Sequence, residues 1–190
     1  AMGGDNAPSE IVKGGVEAVN ASKEVKLLLA GDEKEILEEL EKYSYDRERI
    51  EVIPTTEVIG NNESPVSAVR NKTDSSLVRC QRLVKSGEAD AMVSAGSTGA
   101  ILAGGQLIVG RIKGIQRPPL APLIPTAKGF SLLIDCGANV DARASHLLQF
   151  AQIGSIYMKH IMGVKVPKVA IVNIGAEEEK GNQLVKEAYP

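Results

Sequence analysis

Ala89 to Gly110 reads ADAMVSAGSTGAILAGGQLIVG, and the order of residue types within it decides the fold class. Ala91-Met92-Val93 is a short apolar run of the kind that ends a buried strand. Ser94-Ala95-Gly96-Ser97-Thr98-Gly99 follows as a turn of small and hydroxyl residues, and Ala100 to Val109 is apolar over a length that suits a helix. Strand, small-residue turn and helix together aim free backbone N–H groups at an anion. Gly96 and Gly99 let the backbone approach closely, while Ser97 and Thr98 can cap the helix or donate to a phosphate oxygen. The same residues also make an ordinary strand-to-helix turn. The stretch is neither a P-loop, lacking Gly-Lys-Ser/Thr, nor a GxGxxG dinucleotide fingerprint.

Strands and helices alternate outward from this stretch. Upstream, Pro8 to Ala21 reads as a helix with proline in its first turn, and Val25 to Ala30 as a buried strand. Glu33 to Tyr43 is an amphipathic helix with Ile36, Leu37 and Leu40 on one face, and Ile50 to Ile53 is a short strand. Helices near Pro65 to Asn71 and over Ser75 to Ser86 complete this half, the second stopped by Gly87. Downstream, Leu120 to Ile124 and Phe130 to Ile134 read as two strands of an antiparallel hairpin. Ser145 is expected to cap a helix running to about Met162, Val169 to Val172 to form a strand, and a last helix to begin near Asn182. The pattern predicts an α/β fold, a three-layer α/β/α sandwich with a mostly parallel sheet. Ligands of such sheets sit beyond the carboxyl ends of strands. Polar turns at Ser94 to Gly99, Asp135 to Asp141 and Asn173 to Lys180 fall at those ends and are expected to converge.

Composition narrows the function classes. The 190 residues are 43% hydrophobic but only 3% aromatic, without tryptophan, so the core must be aliphatic. Lys and Arg number 22 against 24 Asp and Glu, a net charge of −2, which argues against a nucleic-acid binder with its basic stripe and stacking aromatics. Cys80 and Cys136 form no CxxC and read as reduced thiols. Asp, Glu and His show no metal-ligand spacing, so neither a metal nor a cofactor is expected. No apolar run reaches the ~18 residues of a membrane span and no signal peptide is visible, so a soluble, cytoplasmic protein is the expectation.

Taken together and in order, AMGGDNAP, SPVSAVRNKTDSS, SAGSTGA, GRIKGIQRP, DCGANVDAR and NIGAEEEKGN carry a resemblance. The chain resembles the bacterial PlsX family of phosphate acyltransferases over essentially its whole length. The resemblance implies a fold like that of the isocitrate and isopropylmalate dehydrogenases and a homodimer. It implies transfer of a fatty acyl group from an acyl-carrier-protein thioester to inorganic phosphate, for phospholipid synthesis. Family members begin with an additional short strand and continue beyond the last helix here. Residues 1–190 are therefore expected to be a single α/β domain and an incomplete fragment of a longer acyltransferase. Peripheral association with the inner face of the cell membrane would use a segment outside this chain.

Phosphate is itself a nucleophile, so the implied reaction needs no Ser or Cys nucleophile. It needs a held dianion, donors for a tetrahedral oxyanion and help for a departing thiolate. Ser94, Gly96, Ser97, Thr98 and Gly99 are the candidate phosphate-binding residues. Lys180 would neutralise phosphate or protonate the departing sulfur; it also reads as a solvated surface lysine. Asn139 would donate to an oxyanion and Asp141 would orient a lysine or water, although both also suit turn formation. Gly3, Gly4, Asp5 and Asn6 match the family's first active-site loop, a substrate-binding element that the missing strand would leave poorly held. Arg111, Lys113 and Arg117 form the densest basic cluster, suited to an acidic acyl carrier protein or simply to a solvated connector. His146 reads as a general acid or, more simply, as a packed helix residue. Two competing readings stand beside this one. One is a phosphotransacetylase-like enzyme that uses acyl-coenzyme A; the other is a non-catalytic fragment that dimerises or binds carrier protein.

Overall fold

Val12, Val16 and Val19 recur at helical spacing in α1 (Ser9–Ala21), and all of them are buried. In the computed structural model, which describes residues 1–175, 177 and 180–190, this face of α1 packs on a parallel pair of strands. Strand β1 (Leu27–Gly31) pairs with β2 (Ile50–Pro54) from Leu27 opposite Ile50 to Gly31 opposite Pro54. Helix α2 (Glu33–Leu40) connects them and starts at Asp32, whose carboxylate accepts the Glu35 N–H at 3.0 Å. Ile36 and Leu40 of α2 close the cluster over Leu29 and Ile50.

A second cluster joins Ile59, Ala68 and Val69 of α3 (Pro65–Asn71), Leu77 and Val78 of α4 (Ser76–Ser86), and Ala100 of α5 (Thr98–Gly104). Proline opens α3 where its missing N–H costs nothing, and Gly87 ends α4 at φ 80°. From Gly105 to Val109 α5 continues as a wider π-helical turn. Helices α4 and α5 meet at Gly104, where a Cβ would lie 1.8 Å from Oε1 of Gln81. Gln81 is 1% exposed and donates through Nε2 to the Ile101 carbonyl at 2.9 Å.

That contact yields a prediction with an unusual sign. Alanine in place of glycine inside a helix normally stabilises by about 1 kcal/mol. Gly104→Ala is instead expected to cost about 2 kcal/mol, because Gln81 must leave its place and its hydrogen bond. Urea unfolding of Gly104→Ala, Gln81→Ala and the double variant checks this. The double variant should lose clearly less than the two single losses together, and simple additivity would contradict the account.

These elements belong to one of two compact units, Ala1–Gly110; the other is Arg111–Pro190. In the latter, β3 (Leu123–Thr126) and β4 (Gly129–Leu132) form the expected antiparallel hairpin, Leu123 facing Leu132. Helix α6 (Ala144–His160) and the short α7 (Gln183–Ala188) follow, α7 capped by Asn182 on the Val185 N–H at 3.0 Å.

The chain is thus α/β, with a small parallel sheet and a small antiparallel one. Two expected strands are absent: Ala91–Val93 and Val169–Val172 have no ladder partner among the described residues. Val93 is 97% exposed and Val172 84%, so neither run has the covered face that a buried strand requires. Ser145 is not the cap of α6 either. The helix begins two residues earlier than such a cap would set it, at Ala144, with Arg143 as its N-cap. Ala176, Glu178 and Glu179 of the expected turn Asn173 to Lys180 lie outside the described residues. No described helix is long and apolar enough to cross a membrane.

Candidate functional site

At the carboxyl end of β1 the chain's first residues come back to the sheet. A Cβ on Gly31 would lie 2.7 Å from Met2 Sδ, so Met2 rests on the end of the strand, and the Ala1 nitrogen donates to the Ala30 carbonyl. Gly3 then runs flat against the turn that decides the fold. A Cβ at Gly3 would meet the Gly96 carbonyl oxygen at 2.8 Å and the Gly96 nitrogen at 3.4 Å. Gly4, at φ 91°, abuts Ala95 in the same way. The loop read as poorly held therefore has a specific seat on Ala95-Gly96, one that only glycine fits.

The turn itself is ordered by its own hydroxyls. Ser94 Oγ donates to the Gly96 carbonyl at 2.9 Å, and Ser97 Oγ accepts the Ala100 N–H at 3.5 Å as the cap of α5. Ser97 is buried in that role, whereas Thr98 is exposed. Gly99 supports α3, since a Cβ there would strike Pro65 Cγ at 2.7 Å. Asp5 and Asn6 are exposed, and the Asn6 carbonyl accepts from the Glu10 N–H at 3.2 Å as α1 begins. A cavity of about 40 Å³ beside Met2, Gly3, Ser94 and Cys80 has room for little more than a water. Burial pushes the Cys80 thiol above its ordinary value, which keeps it protonated and unreactive.

One residue here escaped the sequence reading. A Cβ on Gly96 would lie 3.3 Å from Asn61 Oδ1, which places the Asn61 amide against the turn. Its loop is tied down on both sides. Thr56 donates through its N–H at 3.0 Å and its hydroxyl at 2.8 Å to the Asp74 carboxylate, and Lys72 Nζ donates to Glu63 Oε1 at 2.7 Å. The Thr56 hydroxyl, then its N–H, hold the Asp74 carboxyl below its ordinary value. The Lys72 ammonium, then the Gly60 N–H, do the same for Glu63.

Depressed carboxyl values contribute stability that is present above the ordinary carboxylate range and is lost as pH falls through the folded-state values. The Asn61 loop should therefore loosen below about pH 4. Asp74→Asn should lower the urea midpoint at neutral pH, and the difference from the wild type should shrink as the pH falls below the ordinary carboxylate range and the Asp74 carboxyl takes up its proton. A constant difference between the two across that window would show that Asp74 acts through shape rather than charge.

The unit Arg111–Pro190 holds the other candidates. Both oxygens of Asp135 accept backbone N–H groups, Oδ1 from Leu120 at 2.6 Å and Oδ2 from Asn139 at 2.8 Å. Asn139 Nδ2 in turn donates to the Pro118 carbonyl at 3.0 Å, which engages one of its two amide N–H donors. Asp141 is exposed and in no ion pair among the described residues. Lys180 is also exposed, in a turn where its N–H reaches the Glu177 carbonyl and its own carbonyl accepts from the Asn173 amide, each at 3.0 Å.

Arg111, Lys113 and Arg117 are all exposed on one connector. Gln149 of α6 holds that connector in place: Oε1 accepts the Gln116 N–H and Nε2 donates to the Gly114 carbonyl, both at 2.9 Å. Arg111 adds a bond to the Gln116 carbonyl. His146 is buried beside Phe150, and its Nδ1 accepts the Arg143 N–H at 3.2 Å, so it is a packed capping residue. Cys136 is a free thiol. Among the described residues no cluster of His, Cys, Asp and Glu could hold a metal ion.

Comparison with known proteins adds an independent line. A family model described as fatty acid synthesis protein matches residues 1–190. The chain is 54% identical over 189 residues to the phosphate acyltransferase of Alkaliphilus oremlandii (strain OhILAs), covering 100% of this chain and 56% of that protein. It is 50% identical over 188 residues to the phosphate acyltransferase of Clostridium novyi (strain NT), covering 99% of this chain and 57% of that protein. The same enzyme name belongs to a Clostridium kluyveri protein that is 52% identical over 188 residues, again with 99% and 56% covered. The chain thus spans a little more than half the length of these curated relatives.

Proposed function

The chain belongs to the fatty acid synthesis protein family, and from that premise we propose that it is part of a phosphate acyltransferase. The reaction is the transfer of a fatty acyl group from the thioester of acyl carrier protein to inorganic phosphate, giving an acyl phosphate and the free carrier thiol for bacterial phospholipid synthesis. The observation that carries this reading is about half identity, over nearly the whole chain, to proteins bearing that name.

A phosphate oxygen forms a bond to the thioester carbonyl carbon, the carbonyl oxygen becomes an oxyanion, and the C–S bond then breaks. The departing thiolate takes a proton. Backbone N–H groups of Ser94 to Gly99 and the exposed Thr98 hydroxyl would hold the phosphate, with the Gly3 to Asn6 loop closing on it. Lys180 would compensate the charge of phosphate or protonate the sulfur, and its exposed side chain leaves it able to do so. Asn139, held in place by one Nδ2 hydrogen bond to Pro118, would offer its second amide N–H to an oxyanion; Asp141 would orient Lys180 or a water. The connector bearing Arg111, Lys113 and Arg117 would dock the acidic carrier.

Both units would belong to one α/β domain of a longer, homodimeric, cytoplasmic enzyme working at the inner face of the cell membrane. Its architecture would be the three-layer sandwich of the isocitrate and isopropylmalate dehydrogenase type. Thiol release from palmitoyl-acyl carrier protein should rise and saturate with phosphate, and coenzyme A thioesters should be poorer donors. A preference for the coenzyme A thioester would overturn the carrier assignment.

A further inference from the structure

Within Arg111–Pro190 an apolar groove of about 940 Å³ opens between the β3–β4 hairpin, α6, the segment Val164 to Val172 and α7. Its volume falls at the upper end of the ~300–1,000 Å³ typical of ligand pockets. Phe130, Leu132, Phe150 and Met158 are among the side chains that line it. Asp135 and Asn139 also line it, but the Asp135 carboxylate is used on both oxygens by backbone N–H groups. Lys168 also lines the groove, is exposed, and pairs with no acid among the described residues. A largely apolar groove whose lining includes an exposed cation complements a molecule with a long hydrocarbon tail and one negative group.

We propose that this groove holds a fatty acyl tail, with Lys168 facing the carboxylate of a free fatty acid. The proposal rests on the acyltransferase reading for its choice of ligand, yet its test does not require turnover. It adds to that reading a location for the tail and a residue that selects for charge.

The probes are saturated fatty acids of increasing length, held below their micelle concentration, together with neutral hexadecanol. Binding is measured by displacement of a fluorescent fatty acid. Affinity should rise about fourfold for each further methylene buried, until the groove is filled. Ala151 of α6 lines the groove, so Ala151→Phe should stop that rise several carbons earlier and weaken palmitate at least tenfold. Gln152→Phe, at an exposed neighbouring position on α6, should leave palmitate within twofold of the wild type. Lys168→Glu should weaken palmitate about tenfold while leaving hexadecanol unchanged.

Equal losses in the Ala151 and Gln152 variants would overturn the groove, as would a length dependence untouched by Ala151→Phe. Hexadecanol weakened as much as palmitate by Lys168→Glu would overturn the role of Lys168. A chain that binds palmitate as described but releases no carrier thiol would leave the groove standing and sink the acyltransferase reading instead. Phosphate-dependent turnover with no effect of Ala151→Phe on palmitate would do the reverse.

Discussion

Lys180→Ala is expected to lower kcat for phosphate-dependent thiol release by about 10²–10³-fold, the effect of removing one preorganised group that stabilises developing charge. The stability of the chain should barely change, since the side chain is exposed and its turn is held by backbone bonds and by Asn173. Lys180→Arg separates the two roles. Arginine keeps the charge but cannot give up a proton near neutrality. If Lys180 compensates phosphate charge, the arginine variant should retain activity within about tenfold. If it protonates the departing sulfur, arginine should fail as badly as alanine, and thioesters of more acidic thiols should rescue both. Full activity in Lys180→Ala would return the residue to the solvated surface.

Gly3→Ala should have the next largest effect, about 10²-fold in kcat/KM, by displacement rather than by loss of a functional group. The added Cβ would lie 2.8 Å from a backbone oxygen of Gly96, and neither backbone can swing aside as a long side chain could. One loop must therefore move, and misplacement of about 1 Å at a reacting centre costs on the order of 10²-fold. Gly14→Ala is the control, because nothing lies within 4 Å of its added Cβ. Phosphate KM should rise in Gly3→Ala while the carrier KM stays close to that of the wild type. A variant with full activity would separate the first loop from the phosphate turn in function, despite their contact.

What could be read from sequence divides by the range of the forces involved. Val12, Val16 and Val19 announce α1, Pro65 and Gly87 mark helix ends, and the hairpin follows from two runs around Ala127-Lys128-Gly129; each signal is local. Ala91–Val93 and Val169–Val172 have the composition of strands, but a ladder needs a partner that composition does not name. The α6 start was misjudged because Ser145 is a better cap by type, while a buried His146 ring takes the Arg143 N–H. Both the Gly3 loop and the Ser94 turn were legible as site candidates. Their contact was not, since nothing local ties Gly3 to Gly96. Asn61 is hidden for the same reason, since nothing local ties it to Gly96.

Phosphate as the acyl acceptor is the central claim, and phosphate fully labelled with oxygen-18 tests it most directly. The protein, in this length and in the length of its relatives, is mixed with palmitoyl-acyl carrier protein, and the acyl product is weighed intact by mass spectrometry. The account predicts palmitoyl phosphate that retains every labelled oxygen, formed in step with the carrier thiol and absent without phosphate. Unlabelled palmitate released at the same rate with or without phosphate would contradict it, because water would then be the acceptor.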